Sequence, residues 1–406
     1  MTFSDLQLND QLLEALGYMG FNNPTPIQQQ AIPLILEKQD LIACAQTGTG
    51  KTGAFVIPTI HQILSDTSKK ADVIRVLIVV PTRELAIQID QQIDGIAYGT
   101  DLSSLAIYGG GDGDDFTHQK NALKQGVDIV IATPGKLISH LNLGYVNLKN
   151  VSTVILDEAD RMLDIGFHDD MLKIFSFLPD SRQTLMFSAT MPAKIRTFAK
   201  KILKNPKEIS LAVSKPAEKV LQVAYLTHDN QKTPLLLHLL KDKPEYNSII
   251  IFTSTKKQVS EVVRALQKLN IDAAGISSNL QQSEREEVML RFRNKKIRIL
   301  VATDVISRGI DVKDINLVVN YTAPKDPEDY VHRIGRTARA DTDGIAITLV
   351  NENDMHAFAR TEKLIEKEIL KLPLPPELGE GPVWKGNANA KDRPTFKRKF
   401  NKTRSK

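Results

Sequence analysis

From residue 41 to about residue 350, short runs of apolar, largely β-branched residues alternate with stretches whose apolar positions recur at helical spacing. A run that is apolar at every position suits a strand covered on both faces, and such strands separated by helices build parallel sheets. The pattern predicts strands at Leu41–Ala45, Val73–Val80, Ile129–Ala132, Val151–Leu156 and Thr184–Phe187, then at Ser248–Phe252, Ile299–Ala302, Leu317–Asn320 and Ile345–Val350. Between these groups the stretch 205–220 has Pro206 and Pro216 near its ends and no core periodicity. The expected organisation is therefore a first α/β domain over 1–210, a linker over 211–218 and a second α/β domain over 219–372. A charged helical stretch, Asp354–Leu372, closes the second domain, and Pro373, Pro375 and Pro376 end regular structure. Residues 373–406, rich in Lys, Arg, Asn and Gly, are expected to form a disordered basic tail. In open parallel sheets ligands bind at the carboxyl ends of the strands, so the turns after the strands are where chemistry is sought.

Two of those turns carry it. Leu41–Ala45 runs into Ala45-Gln46-Thr47-Gly48-Thr49-Gly50-Lys51-Thr52. Gly48 and Gly50 allow backbone N–H groups to turn inward around phosphate oxygens. Lys51 can reach the β- and γ-phosphates, and the Thr52 hydroxyl can ligate magnesium. Ala45 stands where the general pattern has its first glycine, but the spacing to Gly50-Lys51-Thr52 is kept. The second turn, Asp157-Glu158-Ala159-Asp160, follows the run Val154-Ile155-Leu156. Asp157 at the end of a buried strand can hold the metal, and Glu158 can orient or deprotonate a water attacking the γ-phosphate. An isolated acidic tetrad is more often a solvated turn. With a phosphate loop about a hundred residues upstream, it reads as the other half of a nucleotide site.

Composition narrows the class. At 406 residues the chain has room for two domains, and 42% hydrophobic with 25% charged residues is a globular composition. No apolar run is long enough to cross a bilayer, and Met1-Thr2-Phe3-Ser4-Asp5 has no signal character, so a cytoplasmic protein is expected. The single cysteine, Cys44, excludes an internal disulfide and reads as a small buried hydrophobe. Lys391, Arg393, Lys397, Arg398, Lys399, Lys402, Arg404 and Lys406 against Asp392 give the tail a net +7, so a chain of net +5 carries −2 elsewhere. The basic balance thus comes from the tail. Interleaved with Phe396 and Phe400, these cations are expected to hold a nucleic-acid strand without sequence preference. If the body binds a polyanion, it does so with a local surface.

Further segments, in order, give the chain a resemblance to the DEAD-box RNA helicase family over residues 3–350, and its compact core with a short basic tail looks most like bacterial RhlE-type members. The resemblance implies two tandem RecA-like domains, ATP and Mg²⁺ as cofactors, and local separation of short RNA duplexes. Gly20-Phe21-Asn22-Asn23-Pro24-Thr25-Pro26-Ile27-Gln28 looks like the family's Q motif, in which the glutamine pairs with N6 and N7 of adenine; Phe3, 17 residues earlier, stands where an aromatic covers the base. Pro81-Thr82-Arg83, Gly109-Gly110 and Thr133-Pro134-Gly135-Lys136 resemble loops that grip one RNA strand by its backbone, with Lys136 where arginine is usual. Ser188 and Thr190, with Asp160, are similar to the residues that couple the acidic tetrad to the other domain.

In the second half the resemblance implies that Thr253, Gln282, Arg285, Thr303 and Arg308 face RNA, and that Asp311 faces the ribose of ATP. Ser277-Ser278-Asn279 replaces a histidine, glycine and acid common in the family. His332-Arg333-Ile334-Gly335-Arg336-Thr337-Ala338-Arg339 resembles the segment that supplies two arginine fingers, Arg336 and Arg339, with His332 and Arg333 bridging back to the tetrad; Ala338 stands where glycine is usual. The same motifs serve an ATP-gated RNA clamp, and a DNA translocase shares the two-domain plan. A monomer is expected, with ribosome-assembly or RNA-decay proteins as the candidate partner classes.

Overall fold

Each group of strands assembles into its own seven-stranded parallel sheet. The computed structural model describes residues 1–45, 48–66, 73–110, 113–211, 220–241, 243, 245–277, 280, 282–303, 315–337 and 344–386. The chain divides into two units, Met1–Ser214 and Lys215–Lys406. The first sheet comprises β1 (Leu41–Cys44), β2 (Val76–Val79), β3 (Ser104–Ile107), β4 (Ile129–Ala132), β5 (Thr153–Leu156), β6 (Gln183–Ser188) and β7 (Lys207–Ser210), in the order β3-β4-β2-β5-β6-β1-β7. The second comprises β8 (Val220–Leu226), β9 (Ile249–Thr253), β10 (Ala273–Ile276), β11 (Ile299–Thr303), β12 (Leu317–Asn320), β13 (Gly344–Val350) and β14 (Leu370–Leu372), in the order β10-β11-β9-β12-β13-β8-β14. Raising every strand number of the first sheet by seven gives the second, so the two units repeat one topology. The α/β architecture of two parallel sheets expected from the pattern is the one observed.

Five strands lie outside the predicted runs: β3, β7, β8, β10 and β14. Four of them are sheet edges, where fewer faces are covered and fewer apolar residues are needed; β7 buries only Ile209. β8 is internal but directly follows the proline-flanked stretch, which carries no periodic signal. Apart from Leu211, the expected linker lies outside the described residues.

The carboxyl end of the second unit differs from expectation in two ways. The helical stretch predicted to Leu372 ends as the helix Met355–Leu364; Glu366 then takes a left-handed φ of 51°, and Leu370–Leu372 turns back as β14 against β8. Residues 373–386, expected to belong to the tail, are instead packed. Gln231 Nε2 donates to the carbonyls of Leu378 (2.8 Å) and Glu380 (3.0 Å), and Trp384 packs edge-on against Phe358 with the Lys371 ammonium 4.5 Å from its ring centre. One half-buried tryptophan anchored this way outweighs the disorder signal of the flanking prolines. The basic residues 391–406 lie outside the described residues.

In the first unit the register sets the site. β1 pairs with β6 (Cys44 opposite Ser188), β6 with β5 (Met186 opposite Leu156) and β5 with β2 (Leu156 opposite Val79), so their carboxyl ends form one edge. The sheet is buried on both faces: Leu41, Ala43, Ile78, Ile155 and Phe187 pack on one side, and Leu77, Val79, Val154, Leu156 and Met186 on the other. No helix among the described residues is long and apolar enough to cross a membrane.

Candidate active site

The phosphate loop is held from two directions. Where β1 ends, Ala45 N–H donates to the Ser188 carbonyl (3.0 Å). Gly48 and Gly50 take φ of 84° and 91°, and Gly50 is the N-cap of the helix Lys51–Ser65, whose unpaired N–H groups form an anion site. The helix Pro26–Leu36 begins with a capping box in which Gln28 Oε1 accepts from Thr25 N–H (2.9 Å); its Nε2 donates to the Gly50 carbonyl (3.0 Å). Gln28 therefore pins the loop in this arrangement, and Thr25, a residue that sequence reasoning did not single out, orients it. Here the capping-box spacing Thr25–Gln28 was the available signal.

A Cβ on Gly50 would lie 2.8 Å from both Gln28 Nε2 and Thr25 Oγ1. A left-handed non-glycine residue costs about 1–2 kcal/mol before that clash is counted. Gly50→Ala is accordingly expected to weaken nucleotide binding about tenfold or more with the far-UV circular dichroism unchanged. A titration with a fluorescent adenine nucleotide checks this, and wild-type affinity would contradict the tight-turn assignment.

Lys51, at the first helical position, is 6% exposed, and its ammonium has no hydrogen-bond partner among the described residues. A buried, unpaired cation is costly and favours an incoming anion. Asp157, 3% exposed at the end of β5, is pushed up to about 6 by burial and by Glu158, against the pull of Lys51. Its Oδ1 accepts from Glu158 N–H at 2.9 Å. Glu158 caps the helix Ala159–Ile165 with a left-handed φ of 52°, strain of the kind stored at functional sites. Arg161 Nη1 donates to Glu158 Oε2 at 3.1 Å and fixes the carboxylate. Arg161 was missed by sequence reasoning, although its place one helical turn beyond Glu158 was a signal.

Asp160 ties two loops together. Its Oδ1 accepts from Arg161 N–H (3.0 Å), and its Oδ2 accepts from Thr190 N–H (3.1 Å) and the Thr190 hydroxyl (3.0 Å). Ser188, fully buried, donates its hydroxyl to the Thr190 carbonyl (2.7 Å). Thr49 and Thr52 are half-buried beside the loop, whereas Gln46 and Thr47 lie outside the described residues. Phe3 is 4% exposed and packed in the core with Leu6 and Leu8, while Phe21 is 43% exposed.

The ends of β2, β3 and β4 continue the same edge. Pro81 is buried, and Thr82 caps the helix Arg83–Ile96 by accepting from Leu85 N–H. The Arg83 guanidinium lies 4.5 Å from the centre of the Tyr108 ring. Gly110 takes a φ of 90°. Thr133 caps the helix Pro134–Asn142, Gly135 is exposed, and the Lys136 ammonium sits 4.7 Å over Phe116. Two helix N-termini and two cations thus line this half.

In the second unit Thr253 ends β9 fully buried, its hydroxyl donating to the Thr255 carbonyl at 3.4 Å, so it shapes the turn beneath the surface. Thr303 ends β11, and Arg285 and Gln282 belong to the helix Gln282–Arg293. Arg333 is held inside its own unit: Nη1 donates to Asn320 Oδ1 (3.1 Å) and the Thr322 carbonyl (2.7 Å), with Phe252 5.1 Å away. His332 is in the last turn of the helix Pro327–Ile334. Arg336, in the following turn, is 5% exposed. Arg308, Asp311, Ala338 and Arg339 lie outside the described residues, as do Ser278 and Asn279.

Two copies of one parallel sheet, the first ending β1 in a Gly-Lys-Thr loop and β5 in buried carboxylates, define a tandem RecA-like phosphate-loop protein. Comparison with known proteins narrows this further. The DEAD/DEAH box helicase family matches residues 25–198, and the helicase conserved C-terminal domain matches residues 231–341. The chain is 40% identical over 374 residues to the ATP-dependent RNA helicase CshA of Listeria monocytogenes, covering 92% of this chain and 70% of that protein. It is 39% identical over 375 residues to the DEAD-box ATP-dependent RNA helicase CshA of Bacillus subtilis, covering 92% and 74%. S. cerevisiae Dbp5 bound to RNA and ADP BeF3 superposes with a TM-score of 0.81 at 29% identity over 92% of this chain and 95% of that one. Mss116p bound to ssRNA and AMP-PNP gives 0.80 at 31% identity, over 91% and 78%. The chain belongs to the DEAD-box helicase family.

Proposed function

We propose that this protein is an ATP-dependent RNA helicase that separates short duplexes, with ATP hydrolysis completed by groups from both units. The observation that carries the reading is the buried Lys51 ammonium, without a hydrogen-bond partner among the described residues, at a helix N-terminus on the same sheet edge as Asp157 and Glu158. That arrangement is built to receive phosphates. The helix N-terminus and Lys51 bind the β- and γ-phosphates, and Gln28 and Phe21 stand at the adenine side. Thr52 and Asp157 are hard oxygen donors suited to Mg²⁺ beside a nucleotide. When bound, Mg²⁺ neutralises charge on the phosphate oxygens. Glu158, held by Arg161, takes the proton of the attacking water.

Arg336 and Arg339 complete the γ-phosphate site from the second unit, with Asp311 at the ribose. Asp160, Ser188, Thr190, His332 and Arg333 couple nucleotide state to the second unit. RNA is held by its backbone through Thr82, Arg83, Gly110, Thr133, Gly135 and Lys136 on the first unit and Thr253, Gln282, Arg285, Thr303 and Arg308 on the second. The subgroup is left open between the RhlE type that the resemblance suggests and the relatives named above, which are called CshA. The reading is tested by ATPase stimulation with single strands of matched sequence. RNA is expected to stimulate at least tenfold more than DNA, and equal stimulation would overturn the assignment to RNA.

A further inference from the structure

Lys136 stands where the family has arginine, and the structure shows what surrounds the substitute. The helix Pro134–Asn142 places Lys136 and His140 four residues apart, on one face. Phe116, from the helix Gly113–Gln125, lies nearly parallel to the His140 imidazole, with 4.7 Å between ring centres and 12° between planes. The same phenyl ring carries the Lys136 ammonium 4.7 Å from its centre. His140 is wholly buried, and both of its nitrogens are engaged, Nδ1 by the Tyr145 hydroxyl and Nε2 by Gln119 Oε1 at 3.1 Å. A carboxamide oxygen can only accept, so Nε2 bears the proton and Nδ1 accepts from the tyrosine. One neutral tautomer satisfies both partners. Burial, with Lys136 nearby, lowers the imidazole to about 4, so the centre of the cluster carries no charge near neutral pH.

The cluster continues beyond the imidazole. Tyr145 stands edge-on to His140 at 5.9 Å, and the ammonium groups of Lys120 and Lys124 lie 5.9 and 5.8 Å from its ring centre. Three lysines are therefore held beside two connected aromatic rings. Among the described residues none of the three has an ion-pair partner, so their charge is not already spent on a protein carboxylate. A free lysine loses much rotamer freedom when it binds a phosphate, and a ring beneath its stem removes part of that loss in advance. Arginine brings a rigid fork of its own and needs less support.

We propose that Phe116, His140 and Tyr145 form an aromatic ladder that positions Lys136 at one end, and Lys120 and Lys124 at the other, against the sugar-phosphate backbone of one RNA strand. The inference rests on the reading of Thr133–Lys136 as an RNA-facing loop. It adds Lys120 and Lys124 as phosphate contacts and makes Phe116 a positioning residue that acts through Lys136. An RNA backbone is the partner because Lys136 lies in the first turn of the helix that follows β4, the turn read above as RNA-facing, and because three cations without a carboxylate partner among the described residues, each beside a ring, suit a repeating phosphate chain.

A double-mutant cycle on the full chain tests it, with the affinity for a fluorescein-labelled single-stranded RNA read by anisotropy in the presence of a non-hydrolysable ATP analogue. Lys136→Ala and Phe116→Leu are each expected to weaken RNA binding about three- to tenfold, and the double variant no more than the stronger single. Phe116→Tyr keeps a ring and should bind as wild type, and Lys136→Arg should restore binding in the Phe116→Leu background. Effects that multiply in the double variant, or a Phe116→Leu that binds normally while Lys136→Ala does not, overturn the ladder and leave the loop reading intact. No effect of Lys136→Ala overturns both. Should Phe116→Leu fail to fold, the cycle of Tyr145→Leu with the pair Lys120→Ala and Lys124→Ala carries the test. Non-additive loss and a shallower salt dependence support the ladder, and additive loss overturns it.

Discussion

Glu158→Gln is expected to keep ATP and RNA bound while losing about 10²- to 10⁴-fold in the rate of hydrolysis, the range a positioned general base supplies. The amide keeps the size of the carboxylate and can still meet Arg161, which lies 3.1 Å from Oε2. It also leaves the backbone turn at φ 52° in place. What it removes is the ability to accept a proton from the attacking water. Because Lys51, Thr52 and Asp157 are untouched, nucleotide affinity is expected to stay within about threefold of wild type, well short of the tenfold that 1.4 kcal/mol represents. Single-turnover hydrolysis and equilibrium nucleotide binding, measured on the same preparation, check both halves. Wild-type turnover would remove Glu158 from its role, and a matching loss of nucleotide binding would recast it as a structural residue.

Arg336→Ala is expected to lower RNA-stimulated hydrolysis about 10³- to 10⁵-fold, the worth of an arginine finger at a transferring phosphoryl group. The residue is 5% exposed, in the turn between the helix Pro327–Ile334 and the bridge from Ile315 to Thr337. Removal of the side chain could therefore also loosen that turn, and Arg336→Lys separates the two effects. It retains a charge and much of the packing but lacks the guanidinium fork, so turnover should still fall by orders of magnitude while the melting temperature stays close to wild type. Thermal unfolding and steady-state ATPase assays on both variants decide the matter. If Arg336→Lys hydrolyses ATP as fast as wild type, the catalytic role of Arg336 is lost.

The parts of this molecule that were legible in the sequence are those in which chemistry or burial restricts residue choice. Strands covered on both faces, such as Leu317–Asn320, announce themselves as continuous apolar runs. The phosphate loop and acidic tetrad are legible because phosphate binding demands glycines, a lysine and carboxylates at fixed spacing. Edge strands were not legible: Lys207–Ser210 joins the sheet through backbone pairing with β1, which leaves almost no trace in side chains. The repetition of one fold was legible only through the family resemblance, since the second unit replaces the phosphate loop after β8 with the direct helix start at Asp229. The supporting groups of the site were only half legible. Arg161 and Thr25 act through hydrogen bonds that depend on the angle between a helix and a loop, and the ladder under Lys136 joins two helices separated in sequence by a strand. The packing of Trp384 was hidden by its proline-rich surroundings.

The central proposal is that ATP binding and RNA binding are coupled in this chain. It is tested most directly by the equilibrium affinity of Glu158→Gln for ATP with and without saturating single-stranded RNA. Coupling between sites is reciprocal and typically about 1–3 kcal/mol, so RNA is expected to tighten ATP binding about 5- to 150-fold, and ATP to tighten RNA binding by the same factor. Equal ATP affinity in the presence and absence of RNA would contradict the account.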